Sequence, residues 1–190
     1  MIQQHEDEDH FVVRRFFTLK GFAAERIPES VGRTPDFKIK RRTEVVAFCE
    51  VKSPQDIFDE RLIITDAILS GKGGIVETGY GNDYRQARCI ERVAQKAAAQ
   101  FRAANPAHNV PNILIVVNHD KYADVDDFVQ SMTGTFLGHV VAQHGIQNAI
   151  SEIDLYIWIN QTARKTEPEA RIIYNHKAAL KETVRALLQL

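Results

Sequence analysis

The sequence predicts a single α/β domain in which a central mixed β-sheet is flanked by helices. Segments with a strand pattern alternate with segments of helical periodicity, which is typical of a layered sheet with helices on both faces. The segment 45–52 is apolar on both of its alternating faces, as in a strand that is covered on both sides. The chain has 190 residues, of which 44% are hydrophobic and 26% charged, an ordinary composition for one globular domain.

The first half of the chain predicts a helix followed by three strands. The helix covers residues 6–20, where apolar residues recur at helical spacing and a glycine follows. The strands are expected at residues 23–28, 36–40 and 45–52. A turn at residues 41–44 joins the last two strands, so we expect them to pair as a hairpin.

The second half predicts the remaining layers and the additions to them. The stretch 55–82 has a helical pattern in its first part, and a glycine-dense loop is expected at residues 71–81. The later elements are, in chain order, a helix at 83–104, a buried strand at 112–118, a helix at 125–136, strands at 153–159 and 171–174, and an amphipathic helix at 177–190. We interpret residues 6–118 as the core and residues 119–190 as a C-terminal elaboration by strands and a helix.

Composition and charge exclude several classes of protein. The longest aliphatic run, residues 113–117, is far too short to span a bilayer, so no membrane association is expected. The acidic N-terminus does not resemble a signal or transit peptide, which makes the cytoplasm the expected compartment. Two cysteines form neither a disulfide framework nor a zinc cluster. A net charge of −1 excludes a uniformly basic protein but permits a local basic groove.

Three charged residues stand on the two strands of the predicted hairpin. Asp36 opens the first strand, and Glu50 and Lys52 lie two positions apart near the end of the second. Alternation along a strand puts Glu50 and Lys52 on the same face. Pairing through the turn brings Asp36 near Glu50. The sequence therefore predicts that these groups converge at one end of a largely apolar sheet.

Two neighbouring carboxylates predict a site for a divalent cation. Buried charges are costly unless they are paired or bound to metal, and adjacent carboxylates raise each other's pKa. Oxygen ligands from Asp36 and Glu50, with waters and a substrate phosphate, suit Mg²⁺ or Mn²⁺, and the carbonyl of Val51 is a further candidate ligand. Lys52 would orient or help to deprotonate a water, or stabilise the transition state. The alternative interpretation, a surface acid beside an exposed Glu–Lys pair, conflicts with the buried pattern of the second strand.

These residues also carry a resemblance to a known family. The strings are Thr34-Pro35-Asp36-Phe37 and Phe48-Cys49-Glu50-Val51-Lys52-Ser53. Together they resemble the signature of the PD-(D/E)xK nucleases, and the helix, Gly21-Phe22 and strand before them are similar to the start of Holliday-junction-resolvase-like members. The resemblance covers residues 6–118. It implies a restriction-endonuclease-like core and a metal-dependent nuclease or phosphodiesterase that hydrolyses DNA.

Many members of that family carry a further carboxylate on the first helix, directed at the metal. Here Glu8 and Asp9 are the candidates. Asp9 shares a face with the apolar residues of the helix, whereas Glu8 is the more usual residue type. The two remain unresolved, and a solvated acidic helix start, favoured by the helix dipole, is an equally good interpretation.

A basic stripe on the helix after the motif is the candidate nucleic-acid surface. Its members recur at spacings of three and four and are Arg85, Arg88, Arg92 and Lys96. A stripe beside the metal site would follow a phosphate backbone, whereas the alternative is a solvated helix face. Gln86 or Gln95 is a candidate to approach the site from the same helix. A second basic group is expected at the far end of the hairpin from Asp36 and hence away from the substrate; its members are Lys38, Lys40, Arg41 and Arg42.

The sequence leaves the function of the site open in two respects. A catalytically inactive nucleic-acid-binding module or complex subunit with the same fold is the alternative to an enzyme. RNA is the alternative substrate to DNA, although no RNA-binding module is visible. The resemblance is also compatible with a homodimer or a larger complex, because nuclease relatives that act on branched or duplex DNA often form dimers.

Overall fold

The computed structural model describes residues 2–28, 34–53, 81–119, 135–136, 139–140, 151–161, 169–175 and 178–188. For residues 2–5, 81–91, 135–136, 139–140 and 169 this description covers the backbone but not the side chains. The statements below concern these parts of the chain.

The chain begins with a helix and an antiparallel meander of three strands. Helix α1 spans Ile2–Leu19, and Gly21 follows with a φ of 79° that residues with a side chain rarely adopt. Strands β1 (Ala23–Arg26), β2 (Phe37–Arg41) and β3 (Glu44–Lys52) come next. The predicted hairpin is confirmed.

A long helix and further strands complete the described structure. The elements are helix α2 (Gly81–Ala104), strands β4 (Asn112–Asn118), β5 (Thr135–Phe136), β6 (His139–Val140), β7 (Leu155–Asn160) and β8 (Glu169–Tyr174), and helix α3 (Lys181–Leu188). Strands β5 and β6 form a small separate ribbon.

The main sheet is mixed, as the sequence predicts. Its order is β1-β2-β3-β4-β7-β8. Strands β3, β4 and β7 run parallel, and the pairs β1–β2, β2–β3 and β7–β8 are antiparallel. Helix α2 provides the crossover between the parallel neighbours β3 and β4, which such neighbours require. Consequently, β3 and β4 end at the same edge of the sheet.

Helices cover both faces of this sheet, so the doubly buried pattern of β3 is explained. On one face, α1 and α3 pack against the strands through residues such as Phe17 and Val184. On the other face, α2 packs through Ala94, Ala97 and Phe101. Side chains of β3 alternate between these layers, so that Cys49 faces α1 while Phe48 faces α2.

The sheet edge at which β4 and β7 begin is fixed by a buried carboxylate. Asp154 is fully buried, and its Oδ2 accepts a hydrogen bond from the backbone N–H of Asn112 at 2.8 Å and lies 2.7 Å from His108 Nε2. Its Oδ1 accepts a hydrogen bond from the N–H of Leu180 at 3.2 Å. Because both oxygens are bonded, this buried charge serves to join loops of the fold.

Several predicted boundaries need correction. The first helix starts at Ile2 rather than at residue 6, and the first strand ends at Arg26 rather than at residue 28. Thr135 and Phe136 form a strand, which contradicts the end of the helix predicted at residues 125–136, and the rest of that segment lies outside the described residues. The last helix begins at Lys181, four residues after the predicted start. Gly81, assigned to a loop, is the first residue of α2.

No helix in the described part of the chain is long and apolar enough to cross a lipid bilayer.

Candidate active site

Asp36 lies immediately before β2 and continues the pairing of β2 with β3 through its side chain. Its Oδ2 accepts a hydrogen bond from the backbone N–H of Val51 at 2.7 Å. Its own N–H donates to Glu50 Oε2 at 3.2 Å. The Asp36 side chain is 25% exposed. The predicted proximity of Asp36 and Glu50 is therefore observed, and Asp36 reaches the surface of the site.

Glu50 is the buried member of the site. Its side chain is 0% exposed, because it projects from β3 toward the layer formed by α2. Burial, reinforced by the negative charge of Asp36, raises the pKa of the Glu50 carboxyl to about 7, although the neighbouring Lys52 opposes the shift. A carboxyl with this pKa changes its charge near neutral pH, which is a common property of functional sites.

Lys52 and Gln100 hold the Glu50 carboxylate. Lys52 Nζ forms an ion pair with Glu50 Oε1, and its side chain is 26% exposed. Gln100, on α2, also hydrogen-bonds to Glu50 and donates from Nε2 to the carbonyl oxygen of Thr34 at 2.9 Å. Gln100 thus connects α2 to the segment before Asp36. The predicted shared face of Glu50 and Lys52 is observed as a direct contact.

Val51 directs its backbone toward Asp36. Within a strand, the N–H and C=O of one residue point to the same side, and the Val51 N–H points to Asp36. The Val51 carbonyl therefore faces away from β4, toward the side of the site on which Asp36 lies. Its side chain is buried against the α1 layer. The backbone of Val51 is thus oriented so that its oxygen is available at the site.

His10 is a neighbour of Asp36 that the sequence did not single out. Its ring packs edge-on against Phe37 with 5.0 Å between ring centroids, and its Nε2 lies 3.9 Å from Asp36 Oδ1. Nδ1 is buried and has no hydrogen-bond partner among the described residues. Desolvation lowers the pKa of His10 despite the opposing charge of Asp36. The ring is therefore predominantly neutral at neutral pH.

Asp9 belongs to a second polar cluster, at the ends of β3 and β4. It is 3% exposed. Ser53 Oγ donates to Asp9 Oδ2, and His119 Nε2 lies 2.6 Å from Asp9 Oδ1. The hydrogen bond to Asp9 raises the pKa of His119, against the effect of burial. Glu8, the other candidate acid on α1, is exposed. Of the two, Asp9 is the one that the fold buries beside the end of β3.

The basic stripe of α2 reaches the site in part. An open cleft of about 520 Å³ is lined by Lys52, Arg92, Gln95, Lys96, Ala99 and Gln100. Arg92, Lys96 and Gln95 are exposed. Of Arg85, Arg88 and Gln86 the structure describes the helical backbone, and their side chains lie outside its described part. Two of the four predicted cations thus share a cleft with Lys52.

Gln100 and His119 contact the predicted residues but were missed from sequence. A signal for Gln100 exists, because the spacing of four that relates Arg92 to Lys96 continues to Gln100. A weaker signal exists for His119, which directly follows the strand parallel to β3 and thus ends at the same sheet edge. His10 carried no signal, since its position depends on the angle at which α1 crosses the sheet.

No group of three or more His, Cys, Asp or Glu side chains within the described ranges is arranged to hold a metal ion. The donors available near Asp36 are two carboxylates and the Val51 carbonyl. This is a set of hard oxygen ligands, which suits Mg²⁺ or Mn²⁺ when water and a phosphate oxygen complete the coordination.

Comparison with known proteins gives no matching family model, no similar curated protein and no similar solved structure.

Proposed function

We propose that this chain is a Mg²⁺- or Mn²⁺-dependent nuclease of the PD-(D/E)xK type that hydrolyses DNA phosphodiester bonds. The observation that carries the proposal is the contact of Asp36, Glu50 and Lys52 across two paired strands. The described elements run in the order of a helix, three antiparallel strands, a helix and a parallel strand, which is the order that the sequence predicts for the core and supports the proposal.

The residues at the site fit a divalent cation. The backbone N–H of Asp36 donates a hydrogen bond to the Glu50 carboxylate. The pKa of Glu50 is raised to about 7. A cation held by Asp36, Glu50 and the Val51 carbonyl would remove the cost of ionising a buried carboxyl beside another acid. When bound, it would supply Lewis acidity toward the substrate phosphate.

Lys52 is the residue that would act on the reacting phosphate. Its side chain lines the cleft and is partly exposed, whereas its partner Glu50 is fully buried. Attack of water on phosphorus adds negative charge to the phosphate oxygens as the bond to the leaving sugar oxygen breaks. A fixed cation such as Lys52 stabilises that charge. Lys52 would also orient the attacking water.

Arg92 and Lys96 would bind the substrate outside the reacting group. Both are exposed on α2 and share the cleft with Lys52. Cations in this position neutralise backbone phosphates without reading the base sequence. The basic stripe therefore supports a polynucleotide substrate over a small phosphate ester.

Cleavage of plasmid DNA tests the proposal. Purified protein is incubated with supercoiled DNA and Mg²⁺ or Mn²⁺, or with EDTA, and nicked or linear products are quantified. We expect metal-dependent cleavage and a loss of roughly 10²- to 10³-fold in Lys52→Ala, as for removal of one stabilising donor. Lys20→Ala, which removes the same charge at the end of α1, is the matched control. Equal rates for Lys52→Ala and the wild type would reveal a contaminating nuclease and refute the proposal.

The complete burial of Glu50 favours a second candidate function. A buried ion pair with Lys52 can persist for structural reasons, since removing one partner leaves an unpaired charge. The chain would then be a nucleic-acid-binding module without catalysis. Calorimetry with Mn²⁺ separates the candidates: heat of binding that is lost in Asp36→Asn supports the nuclease. DNA binding without any metal binding supports the module.

A further inference from the structure

Lys38 lies on the same face of the sheet as Glu50 and Lys52. It is paired with Phe48 across the β2–β3 ladder, and opposite residues of an antiparallel pair share a face. Phe48, Glu50 and Lys52 alternate on the α2 side of β3. The residue diagonal to Lys38 on that face is Glu50, at a typical distance of about 7–8 Å between backbones. The expectation that Lys38 lies away from the site is therefore wrong.

The two lysines of β2 differ in how their charges are compensated. Lys40 Nζ forms an ion pair with Glu25, whose pKa is lowered chiefly by that hydrogen bond. Lys38 forms no ion pair with any residue in the described ranges. Its side chain is half-buried, and a lysine in such a position commonly covers apolar surface with its stem and keeps its ammonium group in water. Lys38 faces Glu25 across the β1–β2 ladder and contributes to the lowered pKa of Glu25, but Lys40 is the lysine that hydrogen-bonds to that acid. Arg41, the remaining cation of β2, lies over the ring of Phe22.

A further pair of cations lies on α2, beside Lys52 of β3. Arg92 and Lys96 are exposed on α2, and neither is ion-paired within the part of the chain that the structure describes. They border the cleft that contains Lys52. The candidate site therefore has one cation from β2 and two from α2 beside it, and none of the three forms an ion pair with another described residue.

We propose that a DNA strand crosses β3 through the site, with one backbone phosphate bound by Lys38 and another, across the reacting phosphate, by Lys96 and Arg92. This inference rests on the proposed nuclease function and adds the direction of the substrate, from α2 across β3 to β2. It also makes Lys38 a substrate-binding residue. Lys40 is excluded from that role because Glu25 neutralises it.

The physical basis of the proposal is counterion release. Each phosphate neutralised by a protein cation releases condensed salt ions, so the affinity falls with salt by a slope of about 0.9 per phosphate on a double-logarithmic plot. Removing one such contact lowers the magnitude of the slope by about 1 and weakens binding roughly five- to tenfold near 0.1 M salt. These two effects distinguish a lost phosphate contact from a general loss of stability.

Binding of a fluorescently labelled duplex oligonucleotide, measured by anisotropy in EDTA over a series of salt concentrations, tests the proposal without requiring cleavage. We expect Lys38→Ala to bind roughly five- to tenfold more weakly, with a smaller salt slope, and Lys38→Arg to retain the wild-type affinity. Lys20→Ala is the charge-matched control and is expected to bind like the wild type. Thermal unfolding of each variant verifies that the fold is retained.

A variant that is expected to strengthen DNA binding makes the test independent of any loss of folding. Glu25→Gln releases Lys40 and removes the acid that stands opposite Lys38, so we expect it to bind the oligonucleotide more tightly, by a similar factor. Wild-type affinity in Lys38→Ala, or an equal loss in Lys20→Ala, would overturn the proposed path. If the wild type cleaves plasmid DNA but Lys38→Ala binds the oligonucleotide as tightly as the wild type, this inference is refuted and the nuclease function still stands.

Discussion

Asp9 Oδ1 and His119 Nε2 lie 2.6 Å apart, which joins the first helix to the residue that follows β4, 110 positions later in the chain. The other oxygen of Asp9 accepts a hydrogen bond from Ser53, directly after Lys52. The ends of the two parallel strands are thus fixed to α1 by one carboxylate. Since Lys52 is the last residue of β3, this arrangement stabilises the position of the candidate catalytic residue.

Substitution of Asp9 is expected to destabilise the fold far more than substitution of Glu8. Asp9→Ala leaves Ser53 and His119 without their buried acceptor, at a cost of about 2–4 kcal/mol in the free energy of unfolding. Glu8→Ala changes an exposed side chain and should cost less than about 0.5 kcal/mol. Urea unfolding measures both. Comparable losses for the two variants would contradict the assignment of Asp9 as the structural partner.

The contribution of His119 to stability should depend on pH. Its folded-state pKa is raised above the ordinary value of 6.5, so its stabilising effect is complete below pH 6.5 and is lost as the pH rises through the folded-state pKa. We expect His119→Gln to cost about 1–2 kcal/mol at acidic pH and less at alkaline pH. In an Asp9→Asn background this pH dependence should disappear. If the pH dependence persists in the Asp9→Asn background, a group other than the Asp9–His119 pair causes it.

Glu50 should destabilise the metal-free protein as the pH rises. Its pKa is about 7 in the folded state and 4.5 ordinarily, so the folded state binds the proton more tightly and loses stability between these values. The loss is on the order of 3 kcal/mol at most. In EDTA, the wild type should therefore lose more stability than Glu50→Gln between pH 5 and pH 8. Parallel pH profiles of the two proteins would argue against a buried titrating carboxyl.

Divalent cations should stabilise the wild type through the carboxylates of the site. A ligand present at 100 times its Kd stabilises the folded state by about 2.7 kcal/mol. We expect Mg²⁺ or Mn²⁺ to raise the Tm of the wild type and to have no effect on Asp36→Asn. The asparagine oxygen can still accept the hydrogen bond from Val51, so the ladder is preserved. Glu25→Gln, which removes an exposed acid, should keep the metal response. A metal response in Asp36→Asn equal to that of the wild type would place the cation elsewhere.

The sheet and the hairpin could be predicted from sequence because local patterns determine them. The apolar pattern of β3 on both faces requires cover on both sides, and the structure provides α1 and α2. The turn between β2 and β3 fixes the register and thereby brings Asp36 to Glu50. The contact of these acids follows from two-residue periodicity along paired strands.

Contacts that depend on how helices cross the sheet could not be predicted. Periodicity put both Glu8 and Asp9 near the apolar face of α1, and only the crossing angle buries Asp9 and exposes Glu8. Gln100 reaches Glu50 because α2 lies over β3, a tertiary relationship that the sequence of the helix does not contain. The place of Lys38 beside Glu50 depends on the cross-strand register, which sets the face of the sheet, and not on its position along the hairpin.

The hydrogen bond from the Val51 N–H to Asp36 Oδ2 gives Asp36 a part in the architecture as well as in the chemistry. In a descendant that lost the reaction, an oxygen at this position would still complete the strand ladder, so we expect Asp or Asn to persist there. Glu50 and Lys52 are paired with each other, and losing either alone leaves the other as an unpaired charge at a buried position. Their joint replacement by apolar residues, rather than a change at Asp36, would be the mark of an inactive lineage.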